Sequence, residues 1–486
     1  MSSSVLLLLI SLSLFVSVFK IPPASASLTI VIKADGNIDP PTAPVTSSDS
    51  VTYTLEDNIY DVAVILLRDD IVFNGNNHIL QGTGSGIGIK LSDRYNVTIR
   101  DVELKDFQYA IDARTATASK IQNSRISGSG IGIYLSYSAT NNSIFNNELL
   151  ENGDSSVRLY LSNNNSLFRN TITSNTMYGI RTESSSYNRI FENTIVACGI
   201  HGLWLDKSSY QQVSDNNISG NSGFGVSLTE SPRNILIRNK ITANSEGVYL
   251  FYSSYNQIIN NNITNQGNGI RLWFSASHLT IDCNHIAENN YGIYLYAQPT
   301  VENNTISKNT IANNTNGLRL SGSDYNTVIK NRITNNTKGI YLSDSHNNDF
   351  YHNNFVDNIV QIDCISSVNF YWDNGYEGNY WSDYVTRYIN ASYDEFGIWD
   401  TPYVIDENNQ DNYPLRGPYW NPADTNHDLE VDIFDIVLAA VCYCLDWQDH
   451  YAHVDVAEPY GIVDIFDIVM IASQYGKKYA PGCPII

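Results

Sequence analysis

Apolar and polar residues alternate in short runs that return at a nearly constant interval along most of this chain. In residues 239–262 an alternating Gly-Val-Tyr-Leu run begins at Gly247, and the motif I-x-x-N-x-I begins at Ile258. The same pair of runs returns every 22–25 residues. Alternation over a few residues is the pattern of a β-strand, so two short strands are predicted in each unit. The chain is therefore predicted to be a repeat array.

Each unit opens with an anchor residue, usually glycine, and asparagines mark two later positions. The thirteen anchors are Gly88, Ala110, Gly132, Ser156, Gly179, Gly202, Gly225, Gly247, Gly269, Gly292, Gly317, Gly339 and Gln361. The asparagines of the second run are Asn147, Asn170, Asn193, Asn216, Asn239, Asn261, Asn284, Asn309, Asn331 and Asn353. A further column consists of Asn152, Asn175, Asn221, Asn244, Asn289, Asn314, Asn336 and Asn358.

These columns predict how the units stack. An asparagine amide can bond to the identical amide in the turns above and below, and asparagine also tolerates left-handed turn geometry. Both properties suit a coil whose turns lie in register, about 4.8 Å apart. The predicted fold is therefore all-β: a right-handed parallel β-helix of about 13 turns of 22–25 residues, followed by a small α-helical domain.

A leucine-rich repeat is the alternative fold, because residues 236–241 resemble its L-x-x-N-x-L motif and the period is similar. The other half of each unit, however, contains an alternating strand and Ser/Asn turns, with neither a helical period nor many leucines. The β-helix is therefore favoured.

The two ends of the chain differ from the repeats and give the predicted domain boundaries. Residues 1–26 hold an apolar run and small residues before Ala26, which predicts a cleaved secretory signal peptide, with a retained membrane anchor as the alternative. Residues 27–87 are predicted to be an N-terminal cap, 88–365 the β-helix repeats, 366–420 a C-terminal cap, and 421–486 a separate domain.

Charge and cysteine content narrow the class of protein. The formal net charge is −22 over 486 residues, so nucleic acid is not an expected partner. Six cysteines are too few for a disulfide framework in a chain of this length, so the stacked repeats are expected to provide the stability. No segment after the signal peptide is long and apolar enough to cross a bilayer. A secreted, extracellular or cell-surface protein is predicted.

The C-terminal domain contains the spacing of a calcium loop. Oxygen-bearing side chains occupy positions 1, 3, 5, 9 and 12 of a twelve-residue segment, and position 7 can offer its backbone carbonyl. A helix follows, with Ile433, Ile436, Val437 and Ala440 on one face. The predicted Ca²⁺ ligands are Asp424, Asn426, Asp428, Glu430 through its backbone, Asp432 and Asp435.

A second copy of this loop and helix is less complete. The letters VDIFDIV are repeated, and Asp455, Asp464 and Asp467 remain as weaker candidate ligands. The second loop is one residue too long and lacks the central acidic ligand. An acidic helical hairpin without metal is the alternative for both loops.

Two family resemblances follow from these motifs. The motifs YTLEDNIYD, VFNGNNHILQGTGSGIGIKL, NYWSDY and DTPYVIDENNQDNYPL, with the repeats, resemble the NosD-like secreted β-helix proteins over roughly residues 30–417. That resemblance implies either copper-site assembly or carbohydrate binding and processing. The duplicated loop-helix units resemble a type I dockerin, which implies Ca²⁺ and a cohesin-type protein partner. Leu429 replaces the turn glycine usual in such loops.

The strands that begin at the anchors predict a binding face. The third and fifth residues of each Gly-Ile-x-Leu-x run face outward and form columns across successive turns. Aromatic rings in these columns can stack on sugars, and interleaved arginines can hold carboxylates or hydroxyls. A ladder that only packs the sheet is the alternative. The predicted substrate-binding residues are Trp204, Tyr249, Phe251, Arg271, Trp273, Tyr294 and Tyr296.

Catalysis and copper binding have weaker support. Glu183 and Asp206 are neighbouring carboxylates in the columns and could act as acid and base in glycoside hydrolysis, but no further motif supports them. His346 and His352 straddle a turn, and the chain has only three methionines, so a copper site is not expected.

The sequence thus favours a β-helix protein that binds polysaccharide or glycan and is tethered through a calcium-loaded dockerin to a cohesin-like partner. The alternative hypothesis is a polysaccharide lyase or glycoside hydrolase carried by the same dockerin. A NosD-type copper-maturation protein is a third, less favoured hypothesis.

Overall fold

The computed structural model describes residues 28–297, 300–442, 454, 456–457 and 463–478. The predicted signal peptide and Asp455 lie outside these residues, as do Cys444 and Cys483. Within the described part, Cys198, Cys283, Cys364 and Cys442 are free thiols.

Three long parallel sheets wind around one core. Strands of sheet A, in spatial order, are Ile38–Asp39, Leu28–Ile32, Val62–Leu66, Ile87–Lys90, Tyr109–Arg114, Ile131–Ser136, Ser155–Tyr160, Tyr178–Glu183, His201–Asp206, Phe224–Thr229, Glu246–Phe251, Asn268–Trp273, Tyr291–Tyr296, Asn316–Ser321, Lys338–Ser343 and Val360–Ile365.

Sheets B and C contain the two shorter strands of each turn. Sheet B consists of Val45–Thr46, Thr52–Leu55, Val72–Asn74, Thr98–Arg100, Lys120–Gln122, Ser143–Phe145, Ser166–Phe168, Arg189–Phe191, Gln212–Ser214, Ile235–Ile237, Gln257–Ile259, Thr280–Asp282, Thr305–Ser307, Thr327–Ile329 and Asp349–Tyr351. Sheet C consists of Ile59–Tyr60, Ile79–Gln81, Glu103–Lys105, Arg125–Ser127, Glu148–Leu150, Thr171–Thr173, Thr194–Val196, Asn217–Ser219, Lys240–Thr242, Asn262–Thr264, His285–Ala287, Thr310–Ala312, Arg332–Thr334, Asn354–Val356 and Tyr380–Trp381.

The parallel coil predicted from the repeats is confirmed, but each turn has three strands rather than the two predicted. The motif that begins at Ile258 is divided between sheets B and C. The division falls at Asn260, which has a left-handed backbone (φ 54°) and turns the chain between Ile259 and Asn261. A short motif with one apolar residue on each side of such a corner looks like a single strand in sequence.

The anchors are small because the next turn of backbone passes against them. A Cβ built on Gly247 would lie 2.4 Å from the carbonyl oxygen of Gly269, and most other anchors face the same contact. Their apolar neighbours, such as Val248 and Leu250, are fully buried in the single core that runs through the coil. Only a residue without a bulky side chain permits this close stacking.

The asparagine columns form continuous amide ladders inside the corners of the coil. Nδ2 of Asn170 donates to Oδ1 of Asn193 at 3.0 Å, and the same bond recurs through most of the second-run column. A third ladder, which includes Asn142, Asn165 and Asn304, was not recognised in the sequence. The residues with a left-handed backbone are those just before the ladder asparagines, such as Arg169 and Glu192. The pairing of buried amides, rather than left-handed turn geometry, therefore explains the asparagines of the ladder.

The coil begins within the segment predicted to be the N-terminal cap. Leu28–Ile32 pairs in parallel with Val62–Leu66, which pairs with Ile87–Lys90 in sheet A. Short antiparallel strands at Ile38–Asp39 and Val45–Thr46 end sheets A and B. These strands occupy the edges that could otherwise pair with another chain.

Aromatic rings close the other end of the core. Trp381 stacks between Phe355 and Tyr403, with ring centroids 4.4 and 4.0 Å away, and Trp372 stacks on Phe350. A short helix, α1 (Tyr384–Arg387), and the antiparallel strands Tyr403–Val404 and Gln410–Asp411 complete this region. The last strand of sheet C, Tyr380–Trp381, lies within the segment predicted to be the C-terminal cap.

Two equivalent helices follow, α2 (Ile433–Val441) and α3 (Ile465–Ser473), and they contact each other. Each begins with a capping box, formed by Asp432 and Asp435 in α2 and by Asp464 and Asp467 in α3. Among the described residues, no helix is long and apolar enough to span a membrane.

Candidate functional site

The outer face of sheet A brings the predicted columns together. The strand register places each third-position residue beside its counterpart in the next turn, and likewise for the fifth position. The third-position column is Tyr134, Arg158, Arg181, Trp204, Ser227, Tyr249, Arg271, Tyr294, Arg319 and Tyr341. The fifth-position column includes Glu183, Asp206, Thr229, Phe251, Trp273 and Tyr296.

A third outward column, formed by the residues just before the anchors, was missed in the sequence. Simple alternation fails at the anchor, because the glycine and the apolar residue after it both face the core. The residue before the glycine therefore lies beside the third-position column, as the 4.4 Å stack of Phe224 on Tyr249 illustrates. The column contains Tyr178, His201, Phe224, Glu246, Asn268, Tyr291, Asn316 and Lys338.

At one end of this face, two arginines hold the candidate catalytic residue Glu183. Nη2 of Arg158 lies 2.6 Å from Oε2 of Glu183, and Arg181 binds the other carboxylate oxygen. Arg181 also contacts Asp154, at 3.1 Å, and lies 4.5 Å above the ring of Trp204. Both carboxylate oxygens of Glu183 are therefore occupied by ion pairs with guanidinium groups.

Asp206, the other candidate, is the direct strand partner of Glu183. Burial raises the pKa of Asp206, and the charge of Glu183 adds to the rise. The structure therefore brings the predicted pair together, with Glu183 already occupied by ion pairs. Glu183 and Asp206 therefore do not form a pair of carboxylates that are both free of ion pairs.

His201 lies between the two halves of the face. Its Nδ1 accepts the backbone N–H of Phe224 at 3.1 Å, and its ring stacks on that of Phe224 at 4.6 Å. Burial lowers the pKa of His201 to about 4. The imidazole is therefore neutral at pH 7 and carries its proton on Nε2, which makes it a hydrogen-bond donor.

The other end of the face is a ladder of alternating rings and guanidinium groups. Arg271 lies 5.7 Å from the ring centroid of Tyr249 and 5.9 Å from that of Tyr294. In the same way Arg319 lies 4.8 Å from Tyr294 and 5.1 Å from Tyr341. Cations cover the faces of these rings, so the tyrosines present mainly their edges and hydroxyl groups.

Trp273 is packed into this ladder by its neighbours. Arg271 lies 4.2 Å above its ring, and the rings of Tyr249, Phe251 and Tyr296 meet it at 72–81°. Arg271 therefore covers one face of the Trp273 ring. The predicted residues do form one continuous surface, with packing and binding as compatible roles.

Four polar atoms on this surface are buried and have no hydrogen-bond partner in the described structure. They are Oε2 of Glu246, Oδ1 of Asn268, Nε of Arg271 and Nε1 of Trp273. Buried polar atoms are normally paired, so four unpartnered atoms within two adjacent strands indicate a place where a polar ligand could supply the missing hydrogen bonds.

The predicted calcium loop closes on itself. Asp424 accepts the backbone N–H groups of Asp428 and Leu429, the fifth and sixth positions, while Asp435 accepts those of Thr425 and Asn426. The first and last carboxylates are thus brought to the same end of the loop. Leu429 has the left-handed backbone (φ 81°) that a glycine would normally supply at this position.

The loop suits calcium in donor chemistry. All its side-chain donors are oxygen, and burial, with a smaller contribution from Asp435, raises the pKa of Asp424 to about 6. Asn426, Asp428 and Asp432 now accept local backbone N–H groups. Across the described residues, no three His, Cys, Asp or Glu side chains are arranged to hold a metal ion. Calcium binding would require these donors to turn inward.

The second loop can be followed only in part, because Asp455 lies outside the described residues. Asp467 accepts the backbone N–H of Ala457 at 2.8 Å and that of Asp464, which matches the bonds of Asp435 in the first loop. The two copies therefore share the local geometry at the start of the helix.

A buried cluster that the sequence did not reveal joins the β-helix to the loop. Nε2 of His352 lies 2.7 Å from Oε2 of Glu377, and Nε2 of His427 lies 3.1 Å from Oε1. Burial alone raises the pKa of Glu377, but the two imidazoles outweigh it and hold that pKa well below its usual range. Tyr419 stacks on His352, with ring centroids 4.1 Å apart. His346, the predicted neighbour of His352, is not part of the cluster.

The apolar face predicted for α2 points to solvent rather than into its own domain. The helix buries Asp435 and Ala439, whereas Ile433, Val437 and Ala440 are exposed. Of the predicted face, Ile436 alone packs in part against the small core. Equivalent positions on α3 are also exposed, and together the two helices present Ile433, Phe434, Val437, Val441, Ile465, Phe466, Val469 and Met470.

The coil of three parallel sheets defines a β-solenoid protein. The sequence matches the family model described as right handed beta helix region over residues 62–210 and 191–306, which together span just over half of the chain. The chain belongs to this right-handed β-helix family. A second model, periplasmic copper-binding protein (NosD), matches residues 269–386. No curated protein matches the sequence.

Several solved structures are similar to this chain at low identity. One is the A-module of the mannuronan C-5 epimerase AlgE6 of Azotobacter vinelandii, with 14% identity, a TM-score of 0.46, and coverage of 65% of this chain and 89% of that one. Another is a double mutant of the periplasmic alginate epimerase AlgG, with 15% identity, a TM-score of 0.46, and coverage of 59% and 79%. These similarities describe the fold alone.

Proposed function

We propose that this chain is a secreted or cell-surface protein whose sheet A face binds a polysaccharide or glycan chain. The observation that carries this proposal is the continuous outward surface of rings, hydroxyls and guanidinium groups from Tyr178 to Tyr341. Successive turns of a parallel coil repeat at about 4.8 Å, so one extended polymer can contact several turns at once.

The centre of the site is the group of strands that contains Glu246, Arg271 and Trp273. Here the four unpartnered polar atoms lie among aromatic side chains. Sugar hydroxyls both donate and accept hydrogen bonds, and sugar C–H groups pack against ring edges. Tyr249, Phe251, Tyr294 and Tyr296 flank this centre.

The second part of the proposal concerns attachment to a partner. Exposed apolar residues on both α2 and α3 form a surface that a soluble protein normally covers. The loop that precedes α2 has oxygen donors of the kind that calcium prefers, and calcium bound there would fix the start of the helix. A cohesin-like protein domain fits this dockerin-like surface, with calcium ordering the loop beneath it.

A polysaccharide-degrading enzyme is the alternative function. The observation that favours it is the cluster of Asp154, Arg181, Glu183, His201 and Asp206 at one end of the same face. The ion pairs of Glu183 argue against acid–base catalysis by that residue. Among the described residues, no group of three or more His, Cys, Asp or Glu side chains supports a copper-maturation role.

A glycan array probed with the full-length protein, run beside assays for reducing ends and for unsaturated products, tests these functions. Binding without product formation supports the proposal. Product formation that depends on the protein would replace it with the enzyme, and the absence of both binding and products would refute both.

A further inference from the structure

The arginines of the sheet A face are already neutralised by carboxylates of the same face. Arg158 and Arg181 share Asp154 and Glu183, and Nη1 of Arg271 lies 2.9 Å from Oε1 of Glu246. At the far end, Lys338 pairs with Asp363 at 2.5 Å. The side chains of the arginine pairs are mostly buried, with 12–25% exposed.

Arg319 is the exception, because no ion pair of this residue occurs within the described part of the chain. Its guanidinium donates to the hydroxyl groups of Tyr291, at 3.0 Å, and Ser321, at 3.2 Å. It is also flanked by the rings of Tyr294 and Tyr341. Asp206, for which the described residues supply no ion-pair partner, lies on the same face, so the positive and negative charges of the face nearly balance.

The unpartnered polar atoms at the centre show which ligand groups fit. Oε2 of Glu246 and Oδ1 of Asn268 are acceptors, whereas Nε of Arg271 and Nε1 of Trp273 are donors. A sugar hydroxyl can satisfy either kind. A carboxylate can only accept, and it would be placed beside Glu246.

We propose that the polymer bound by this face is a neutral polysaccharide rather than a polyuronate. This inference rests on the proposed glycan-binding function and names its ligand class. Apart from Arg319, the arginines of this face can bind a uronate carboxylate only by giving up Glu246 or Glu183, which leaves a partly buried charge without its partner. The formal charge of −22 also repels a polyanion as it approaches.

The test compares two panels of polymers with the full-length protein. The neutral panel contains β-glucans, mannans and xylans, and the acidic panel contains alginate and polygalacturonate. Binding is measured by affinity electrophoresis and calorimetry at about 0.05 and 0.5 M NaCl. Neutral polymers are expected to bind with affinity that changes less than about twofold between the two salt concentrations, because no counterions are exchanged.

Each result separates this inference from the function on which it rests. Binding of polyuronates without neutral polymers would overturn the neutral-ligand inference and leave glycan binding intact. Failure of both panels would refute glycan binding, and the inference with it. Binding of neutral polymers alone supports both.

A charge-removing variant gives a second, independent test. Glu246→Gln frees Arg271 from its ion pair, so it is expected to gain polyuronate binding by at least about tenfold over the wild type. Glu148→Gln removes the same charge from an exposed pair with Arg125 on sheet C and serves as the matched control. An equal gain in both variants would mean that net charge, rather than local pairing, excludes polyuronates, and would overturn the inference.

Discussion

Arg271 stacks on Trp273, with its guanidinium carbon 4.2 Å from the centre of the indole ring. The same guanidinium forms an ion pair with Glu246. One side chain therefore links the aromatic patch to Glu246 in the column beside it, and it fixes the indole in place. Because a fixed ring loses little freedom on binding, this arrangement preorganises the surface for a ligand.

Replacing Trp273 by alanine should weaken glycan binding by at least about tenfold, because it removes the central ring and its N–H donor. The fold should remain, with a loss of about 1–2 kcal/mol from the broken cation–π and ring contacts. Binding and melting temperature measured on the same samples would check this.

Phe168→Ala is the matched control. Phe168 stacks between Phe145 and Phe191 on the outside of sheet B, at 4.8 and 4.9 Å. The Phe168→Ala variant should lose about as much stability as Trp273→Ala and keep full glycan affinity. If Trp273→Ala also keeps full affinity, the patch is only a packing ladder.

The calcium loop gives a prediction on the full-length protein. Titration with Ca²⁺ should show binding by calorimetry and a higher melting temperature of the C-terminal segment, because binding to the folded loop stabilises it. Asp428→Ala should abolish most of this gain, since within the described residues the side chain of Asp428 makes one local bond, to the N–H of Glu430. Asp424 and Asp435 are less suitable, because their carboxylates hold the loop together.

Asp57→Ala is the control for that variant. Asp57 also accepts one local N–H, from Asn58 at 2.7 Å, but it lies far from the loop. An identical calcium response in wild type, Asp428→Ala and Asp57→Ala would exclude the loop as the calcium site.

Glu183 and Asp206 are expected to have no catalytic role. The double variant Glu183→Gln with Asp206→Asn should leave glycan affinity within about twofold and should abolish no sugar-cleaving activity. Its stability should fall by about 1–3 kcal/mol, because Arg158 and Arg181 lose a charged partner. Any hydrolase or lyase activity present in the wild type and lost in this variant would restore the enzyme as the leading function.

His201 should make stability depend on pH. Its pKa is lowered to about 4 in the fold, whereas an unfolded histidine titrates near 6.5. Its contribution is therefore complete above about pH 6.5 and is lost as the pH falls toward 4, by at most about 3 kcal/mol. NMR titration of the imidazole would measure the pKa directly.

The variant His201→Phe keeps a ring in the stack but cannot take up a proton. The difference in melting temperature between pH 7 and pH 4 should be smaller for this variant than for the wild type. An imidazole pKa near 6.5 in the folded protein would contradict the prediction.

Glu377→Gln should destabilise the end of the β-helix by about 2–4 kcal/mol, because an amide nitrogen replaces an acceptor between two buried imidazoles. Faster hydrogen exchange is expected at residues 424–435, which His427 connects to this cluster. Glu192→Gln, in an exposed pair with Arg169, should change stability by less than about 1 kcal/mol. Equal effects of the two variants would show that the cluster does not hold the loop.

The sequence by itself determined the coil and the two predicted outward columns. Both follow from local rules, because alternation sets which side chains face the core, and a constant period places each turn over the last. Once the anchors Gly247 and Gly269 are aligned, Tyr249 must lie beside Arg271. The capping boxes of α2 and α3 follow from the repeated VDIFDIV in the same local way.

The tertiary structure decided what depends on corners and on distant segments. The third strand, and the column of Tyr178 and His201, required the left-handed corners and the break in alternation at each glycine. The pairing of Arg271 with Glu246 joins adjacent turns, and Glu377 meets His352 and His427 across 25 and 50 residues. Such contacts depend on side-chain direction and burial after the coil has closed, and no periodicity in the sequence encodes them.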